Sequence, residues 1–433
     1  MLFCNKSWYG GIILPFNPIA MRFFLFIGIL LSLDLYAFQA LRLISQPWSA
    51  SAKLIVYTIY WSMPVLLLIY VGSAQAGYHE QLPKALTTLL RSFLFIAYFS
   101  KFLVALFVFA DDARRGMLWL FEKFTGREPF NYQRSRFLSL SGLLLGSIPL
   151  LTLSYGMWRN PYRYTLYRKK IVLPQLPTEL RGLRIVQISD IHAGSFLHKE
   201  PIKQAIELIN AQQPDIVLFT GDLVNNKADE MDNLMDVFDK IQAKLGVFSV
   251  LGNHDYGDYV SWPSPEAKAA NMDKLRQIHQ QLGWNLLLNE HRLIYRNQAA
   301  IAVIGVENYS AQMRFPKYGK LKTAHQGTEN AQLRLLLSHD PSHWKYEITK
   351  DFKDIDITFS GHTHGMQFGV EIPGWFKWSP IQYVYKEWAG LYKEENQYLY
   401  VNRGFGFLGY PGRVGILPEI TLIELNSTDS SVS

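Results

Sequence analysis

A chain of 433 residues that is 49% hydrophobic, 14% aromatic and only 18% charged has room for more than one folded unit, and its balance excludes extensive disorder. The single cysteine, Cys4, excludes an intrachain disulfide and a thiolate metal centre. A net charge of +7 would suit nucleic acid, but the basic residues gather beside apolar runs, at Arg114, Arg115, Arg134 and Arg136 and again at Arg163, Arg168, Lys169 and Lys170. Membrane lipids are therefore the expected partners, and no nucleic acid is expected.

Four apolar runs, residues 23–41, 54–71, 92–110 and 137–158, each have about the length that a helix needs to cross a bilayer. They predict an all-α, multi-pass transmembrane region over residues 1–160, anchored in the cell membrane. Asp34 and Lys101 interrupt the first and third runs. Intramembrane charge suggests a proton or ion path, but the favoured expectation is a structural pair between packed helices or a snorkelling lysine.

From residue 161 to 426 the pattern changes to short β-type runs alternating with amphipathic stretches, as in layered α/β domains. Strands are expected at 184–189, 216–220, 247–251, 299–305, 333–338, 355–360, 398–403 and 420–425, and helices at 201–211 and 229–245. Residues 427–433 form a polar tail, expected to be loose.

Five of these strands run straight into residues able to bind metals: Asp190-Ile-His192, Gly221-Asp222, Gly252-Asn253-His254-Asp255, His339 and Gly361-His362-Thr-His364. Ligands of α/β sheets collect beyond the carboxyl ends of strands, so these distant loops are expected to converge. Carboxylates, imidazoles and one amide suit two divalent cations, with Mn, Fe or Zn the most plausible identities. Each pair alone is a weak signal, and its force lies in the ordered set of five.

That set resembles the signature of the calcineurin-like metallophosphoesterases, and it is most similar to their membrane-tethered bacterial branch. The resemblance covers residues 162–425, including an ending at Asn402-Arg-Gly404 and Arg413 through Pro418-Glu419-Ile420. It implies a four-layer α/β/β/α sandwich. It also implies one metal held by Asp190, His192, Asp222 and His364, and a second held by Asp222, Asn253, His339 and His362. His254 resembles the family's phosphate-contacting histidine, with Asp255 as the carboxylate expected to orient it. Where many relatives have Gly-Gly-Gln, this chain reads Gly365-Met366-Gln367.

The implied activity is hydrolysis of a phosphate mono- or diester, with a metal-bridging hydroxide attacking phosphorus in line and His254 assisting the leaving group. Residues 373–388 hold Trp375, Phe376, Trp378, Tyr383, Tyr385 and Trp388, with Lys377 and Lys386 interleaved. Such a mixture suits a membrane interface, which points to a phospholipid or lipid-linked substrate; the alternative is a hairpin whose rings cover the core. Two other functions fit the same motifs: a nucleotide or nucleic-acid phosphodiesterase, and a membrane transporter or receptor with a regulatory metal domain.

Overall fold

The computed structural model describes residues 18–78, 82–125, 132–312, 315–372 and 374–427, so Cys4, Pro373 and residues 428–433 of the expected tail lie outside the described residues. The chain divides into two compact units, Met1–Ser154 and Tyr155–Ser433.

The amino-terminal unit is built from helices α1 (Pro18–Ile44), α2 (Ala50–Gln75), α3 (Lys84–Thr125) and α4 (Tyr132–Arg159, whose last turn belongs to the second unit). All four are long and apolar enough to cross a membrane. At 42 residues α3 is about 63 Å long, roughly twice a hydrocarbon core of about 30 Å. Its excess length begins where the apolar run ends, at Asp111, Asp112, Arg114 and Arg115, and Arg114 pairs with Asp111 at 2.7 Å. Glycines let α4 approach α3 closely, because a Cβ on Gly142 would meet Phe107 and one on Gly146 would meet Val104.

Asp34 and Lys101 form the expected pair. Lys101 Nζ donates to Asp34 Oδ1 at 2.5 Å, Tyr98 OH donates to Oδ2 at 2.7 Å, and Tyr60 OH donates to the Asp34 carbonyl at 2.7 Å. Both carboxylate oxygens are thus satisfied, and α1, α2 and α3 are tied at one level.

The second unit begins with β1 (Thr165–Val172), β2 (Arg184–Ile188), α5 (Glu200–Ala211), β3 (Ile216–Phe219), α6 (Met235–Phe238), β4 (Val247–Ser249), α7 (Pro265–Gln281) and β5 (Trp284–Leu286). It continues with β6 (Glu290–Arg296), β7 (Ala299–Gly305), α8 (Leu321–His325), β8 (Leu333–Leu337), β9 (Ile357–Ser360), β10 (Val370–Ile372), β11 (Phe376–Trp378), β12 (Gly390–Glu394), β13 (Gln397–Val401) and β14 (Glu419–Asn426). Two six-stranded sheets run β1-β14-β2-β3-β4-β5 and β12-β13-β9-β8-β7-β6, while β10 and β11 form a separate hairpin.

Three apolar clusters show why these elements stack as layers. Alternate residues of the strands serve different clusters: Ile185, Leu218, Val303, Leu335, Phe359 and Ile423 meet between the sheets. On the outer face of the first sheet Val186, Val217 and Phe219 pack with Ile206 of α5 and Ile278 of α7. On the outer face of the second, Ile304, Leu336 and Val401 pack with Leu321 of α8, Trp344 and Ile348. The result is the expected four-layer α/β/β/α sandwich.

All eight expected strands are present, with ends shifted by up to two residues. The expected helix at 229–245 is not continuous: a 3-10 turn at Ala228–Met231 is followed by the single turn of α6 and then loop. Its apolar residues Met231, Leu234, Val237, Phe238 and Ile241 still all reach the core, so burial there needs no regular helix.

His279 on α7 is fully buried, with Nδ1 3.0 Å from Ser249 Oγ, and burial holds its imidazole down at about 3. Because the unfolded chain takes up that proton first, its contribution is complete above about pH 6.5 and is lost as pH falls towards 3. His279→Asn should flatten the stability profile between pH 6.5 and 4.5 by up to about 1.4 kcal/mol per pH unit, measured by chemical denaturation. In the helical unit, Lys101→Leu should cost about 3–5 kcal/mol by leaving a buried carboxylate unpaired, whereas Asp34→Leu with Lys101→Leu should recover most of the loss in the same assay.

Candidate metal centre

Parallel pairing of β2, β3 and β4 in one sheet, and of β8 and β9 in the other, brings the ends of five strands to one side of the sandwich. The loops that follow carry every residue expected at the site. Asp190, His192 and His364 form one buried group able to hold a metal ion, and Asp222, His339 and His362 form a second.

The two groups meet at one oxygen. Asp222 Oδ2 lies 3.6 Å from His192 Nε2 and 3.2 Å from His339 Nε2, while Oδ1 accepts from the His254 amide at 2.8 Å. Across the first group, His192 Nε2 and His364 Nε2 are 3.0 Å apart, and His364 Nε2 is 3.2 Å from Asp190 Oδ1. In the second group His362 Nδ1 faces His339 Nε2 at 3.3 Å.

The outer nitrogens of two of these rings are anchored. His339 Nδ1 donates to the Thr220 carbonyl at 2.7 Å, which leaves Nε2, the nitrogen facing Asp222, as the one that could ligate a metal. His362 Nε2 is 2.9 Å from Tyr385 OH, and Tyr385 donates to Asp340 Oδ2 at 3.2 Å. Asn253 gives its amide hydrogen to Tyr259 OH at 2.9 Å, and its Oδ1 is buried without a hydrogen-bond partner. An orphaned amide oxygen among carboxylates and imidazoles fits a cation.

Glycines and left-handed backbone make this convergence sterically feasible. A Cβ on Gly361 would strike Ser189 Oγ and Asp190 Oδ2, and one on Gly252 would strike the Asp222 carboxylate. Asp190, His192, Asp222, His362 and His364 all have positive φ, between 49° and 71°, a conformation that costs side-chain-bearing residues energy.

Burial opposes ionisation of Asp222, but His339, His254 and His192 outweigh it and hold the carboxyl well below the usual range. Burial also opposes a charge on His339, yet Asp222 and Asp190 raise it to about 10. Burial brings His192 down to about 3, keeping that ring neutral. The site thus combines ionised carboxylates with at least one basic imidazole position.

Asp255 does not orient His254. Its Oδ2 accepts from the amides of Asp222 and Gly252, both at 2.9 Å, and Oδ1 from those of Leu223 and Val224 at 2.8 and 3.2 Å. Asp255 therefore knits together the two loops that carry Asp222 and Asn253. His254 Nδ1 instead donates to the Asn225 carbonyl at 2.8 Å, which fixes Nε2 as the nitrogen without that bond.

Sequence reasoning missed Tyr385, Asp340, Asn225 and Tyr259 as partners of the site. Asp340 follows His339 directly, and that adjacency was the available signal; a backbone carbonyl such as that of Asn225 leaves none. In the sequence Arg413 stands out only as part of the family-like ending. It is fully buried and donates to the carbonyls of Arg403, Gly404 and Gly406, bracing a loop whose Gly406 amide donates to the Asp190 carbonyl at 2.8 Å.

Residues 21–161 match the family model described as the probable calcineurin-like phosphoesterase transmembrane domain, and residues 183–366 match that of the calcineurin-like phosphoesterases. The chain is 28% identical over 263 residues to a "Transmembrane protein with metallophosphoesterase domain" of Danio rerio, covering 59% of this chain and 56% of that one. It is 27% identical to the "Uncharacterized metallophosphoesterase YkuE" of Bacillus subtilis, covering 64% and 90%. To the "UDP-2,3-diacylglucosamine pyrophosphatase LpxG" of Chlamydia trachomatis it is 30% identical, covering 60% and 88%. The chain thus spans little more than half the length of the Danio rerio relative. With both family models matching, convergent metal-binding loops and relatives of the same kind, this multi-pass membrane protein belongs to the calcineurin-like metallophosphoesterase family and carries that family's four-helix transmembrane domain.

Proposed function

We propose that this protein is a membrane-anchored binuclear phosphoesterase that hydrolyses a lipid-linked phosphate ester. The observation that carries the binuclear reading is the position of Asp222 Oδ2, a single oxygen shared by the His192 and His339 sides of the site. Asp190, His192, Asp222 and His364 would hold one divalent cation, and Asp222, Asn253, His339 and His362 the other. When bound, such a pair would supply Lewis acidity towards the phosphate and would lower the pKa of water at the site.

The chain's own side chains supply position and charge. Thr220 and Tyr385 hold His339 and His362 with the correct nitrogens inward. The Asn225 carbonyl keeps a proton on His254 Nδ1 and leaves Nε2 as the nitrogen that, in the imidazolium form, would stabilise phosphate charge or deliver its proton to the departing alkoxide. Asp255 acts one step back, by tying four amides of the Asp222 and Asn253 loops. The lipid-linked class is supported by the four spans and by the relative whose printed name makes it a pyrophosphatase of a diacylglucosamine nucleotide.

Purified full-length protein should turn over an aryl phosphodiester with added manganese, lose activity to a chelator and regain it on readdition. Asp222→Asn or His254→Ala should reduce turnover by about 10²-fold or more with the fold retained by circular dichroism; full activity in either variant contradicts the assignment. Lipid-linked pyrophosphates should be cleaved in preference to free nucleotides, and the reverse order would remove the lipid reading while leaving the metal chemistry. Asp255→Asn replaces one acceptor oxygen by a donor, so it should weaken manganese binding by about 10-fold or more in a competition titration.

A further inference from the structure

We infer that the β10–β11 hairpin is a membrane-docking surface whose apolar face lies in the bilayer interface, next to the phosphoesterase site. The hairpin register pairs Val370 with Trp378 and Ile372 with Phe376, which sets those four side chains on one face, and Glu371 with Lys377 on the other. Its polarity is inverted relative to a surface hairpin of a water-soluble domain. Both charged residues are engaged by the fold: the half-buried Glu371 accepts from Arg403 Nη2 at 2.6 Å and Nε at 3.0 Å, and Lys377, although exposed, donates to the Ala389 carbonyl at 2.5 Å and Tyr392 OH at 3.1 Å. The apolar face is turned outward, with Val370, Ile372 and Phe376 44–48% exposed and Trp375 at the tip 80% exposed. Phe368, two residues before Val370 on the same extended path, is also exposed.

Part of the aromatic segment does cover the core, since Tyr385 and Trp388 are buried with Ile416. The segment is therefore divided: Tyr385 contacts His362, while Trp375 and Phe376 point away from the core. The ordering of the inner face by Arg403 fixes the outer face in place, so its exposure is built in rather than a consequence of a loose loop.

The occupant is a lipid bilayer for three reasons. First, the loop of residues 410–415 joins the hairpin to the end of the last candidate span: Gly369 donates to the Val414 carbonyl at 2.9 Å and Val414 to the Gln367 carbonyl at 2.8 Å, while on its other side Arg413 donates to the Gly156 carbonyl at 3.2 Å and Asn160 Nδ2 to the Arg413 carbonyl at 2.8 Å. Second, only residues 160–164 separate that span from β1, so contact with the membrane is intramolecular. Third, β1 carries exposed Arg168, Lys169 and Lys170 immediately after Tyr167, whose hydroxyl donates to Glu371 at 3.2 Å. Aromatic tip and basic strand together match an interface with anionic headgroups.

The segment from His364 to Ile372 then has two ends of different character, a candidate metal donor at one and strand β10 of the hairpin at the other. Docking of the hairpin would hold the segment that begins at His364 close to the membrane surface, the side from which a lipid-linked phosphate would arrive. This deepens the lipid reading above, but its test does not depend on turnover.

Cys4→Ser yields a cysteine-free chain, into which Phe376→Cys, Ile372→Cys or, as a control on the second sheet's outer side, Lys353→Cys is introduced and labelled with an environment-sensitive fluorophore. Full-length protein is reconstituted in vesicles of phosphatidylcholine and phosphatidylglycerol. The expected result is blue-shifted emission at positions 376 and 372, quenched at least about twofold more by lipids bearing acyl-chain nitroxides than the label at 353. Water-like emission at both hairpin positions, quenched by iodide and not by the nitroxide lipids, overturns the proposal. So does blue-shifted emission without lipid quenching but with cross-linking between two chains, which assigns the face to a second copy. Loss of enzymatic activity with lipid quenching intact would count against the phosphoesterase reading and not against docking.

Discussion

The carboxylate of Asp222 is the constraint on which the rest of the catalytic unit depends. One oxygen is fixed by the His254 amide, which leaves the other between His192 and His339. That oxygen is useful only if loops from both sheets reach it, so the sandwich has to bring β3 and β8 together with their carboxyl ends on the same side. Asp190, Asp222 and Asp255 are all buried near one another, and burial together with Asp222 pushes Asp255 up to about 7. Concentrating carboxylates in this way is unfavourable unless positive charge or N–H donors compensate. The imidazoles, the amides bound by Asp255 and the proposed divalent cations provide that compensation.

Strain follows from the same requirement. A short loop that leaves a strand, turns a donor towards a common centre and returns cannot remain in the extended or right-handed regions throughout. The left-handed conformations of Asp190, His192, Asp222, His362 and His364 are how the five side chains are turned, and Met366 and Gln367 continue the pattern beyond them. Each costs on the order of 1 kcal/mol, supplied by the apolar packing between and outside the sheets. Gln367 is held by bonds to the loop of residues 408–412: its Nε2 donates to the Tyr410 and Gly412 carbonyls and its Oε1 accepts from the Leu408 amide. Met366, beside it, is exposed.

The inner strands were legible because they are buried on both faces and read as mainly apolar runs of four to seven residues, most of them followed within three residues by glycine or a candidate metal-binding residue. The edge strand β1 was not: Arg168, Lys169 and Lys170 read as a juxtamembrane basic cluster without showing that they also form a strand, because an edge strand can carry charge at successive positions. The segment at 229–245 misled for the opposite reason. Its apolar spacing is helical in period, but the core accepts those side chains from turns and loop. Donor side chains were visible as motifs, while what orients them was not, since carbonyls of Thr220 and Asn225 are common to any residue and Asp255 touches amides rather than its neighbour in the motif.

Arg403 links the legible part of the site to the part that only the structure displays. Its guanidinium binds Glu419 of β14 at 2.6 Å and Glu371 of the hairpin at 2.6 Å, and it lies over the Tyr167 ring of β1 at 4.4 Å. The next residue, Gly404, sits so close to His364 and Asp190 that a Cβ would come within 3.1 Å of both. One buried cation therefore fixes the inner face of the hairpin while its neighbour in sequence packs against donors from each of the two sheets. Because a buried charge of this kind tolerates loss of neither carboxylate partner, displacement of the hairpin and displacement of the site loops are energetically coupled. The apolar outer face and the metal-binding loops are in this sense parts of one rigid construction, set by the requirement to keep Arg403 paired.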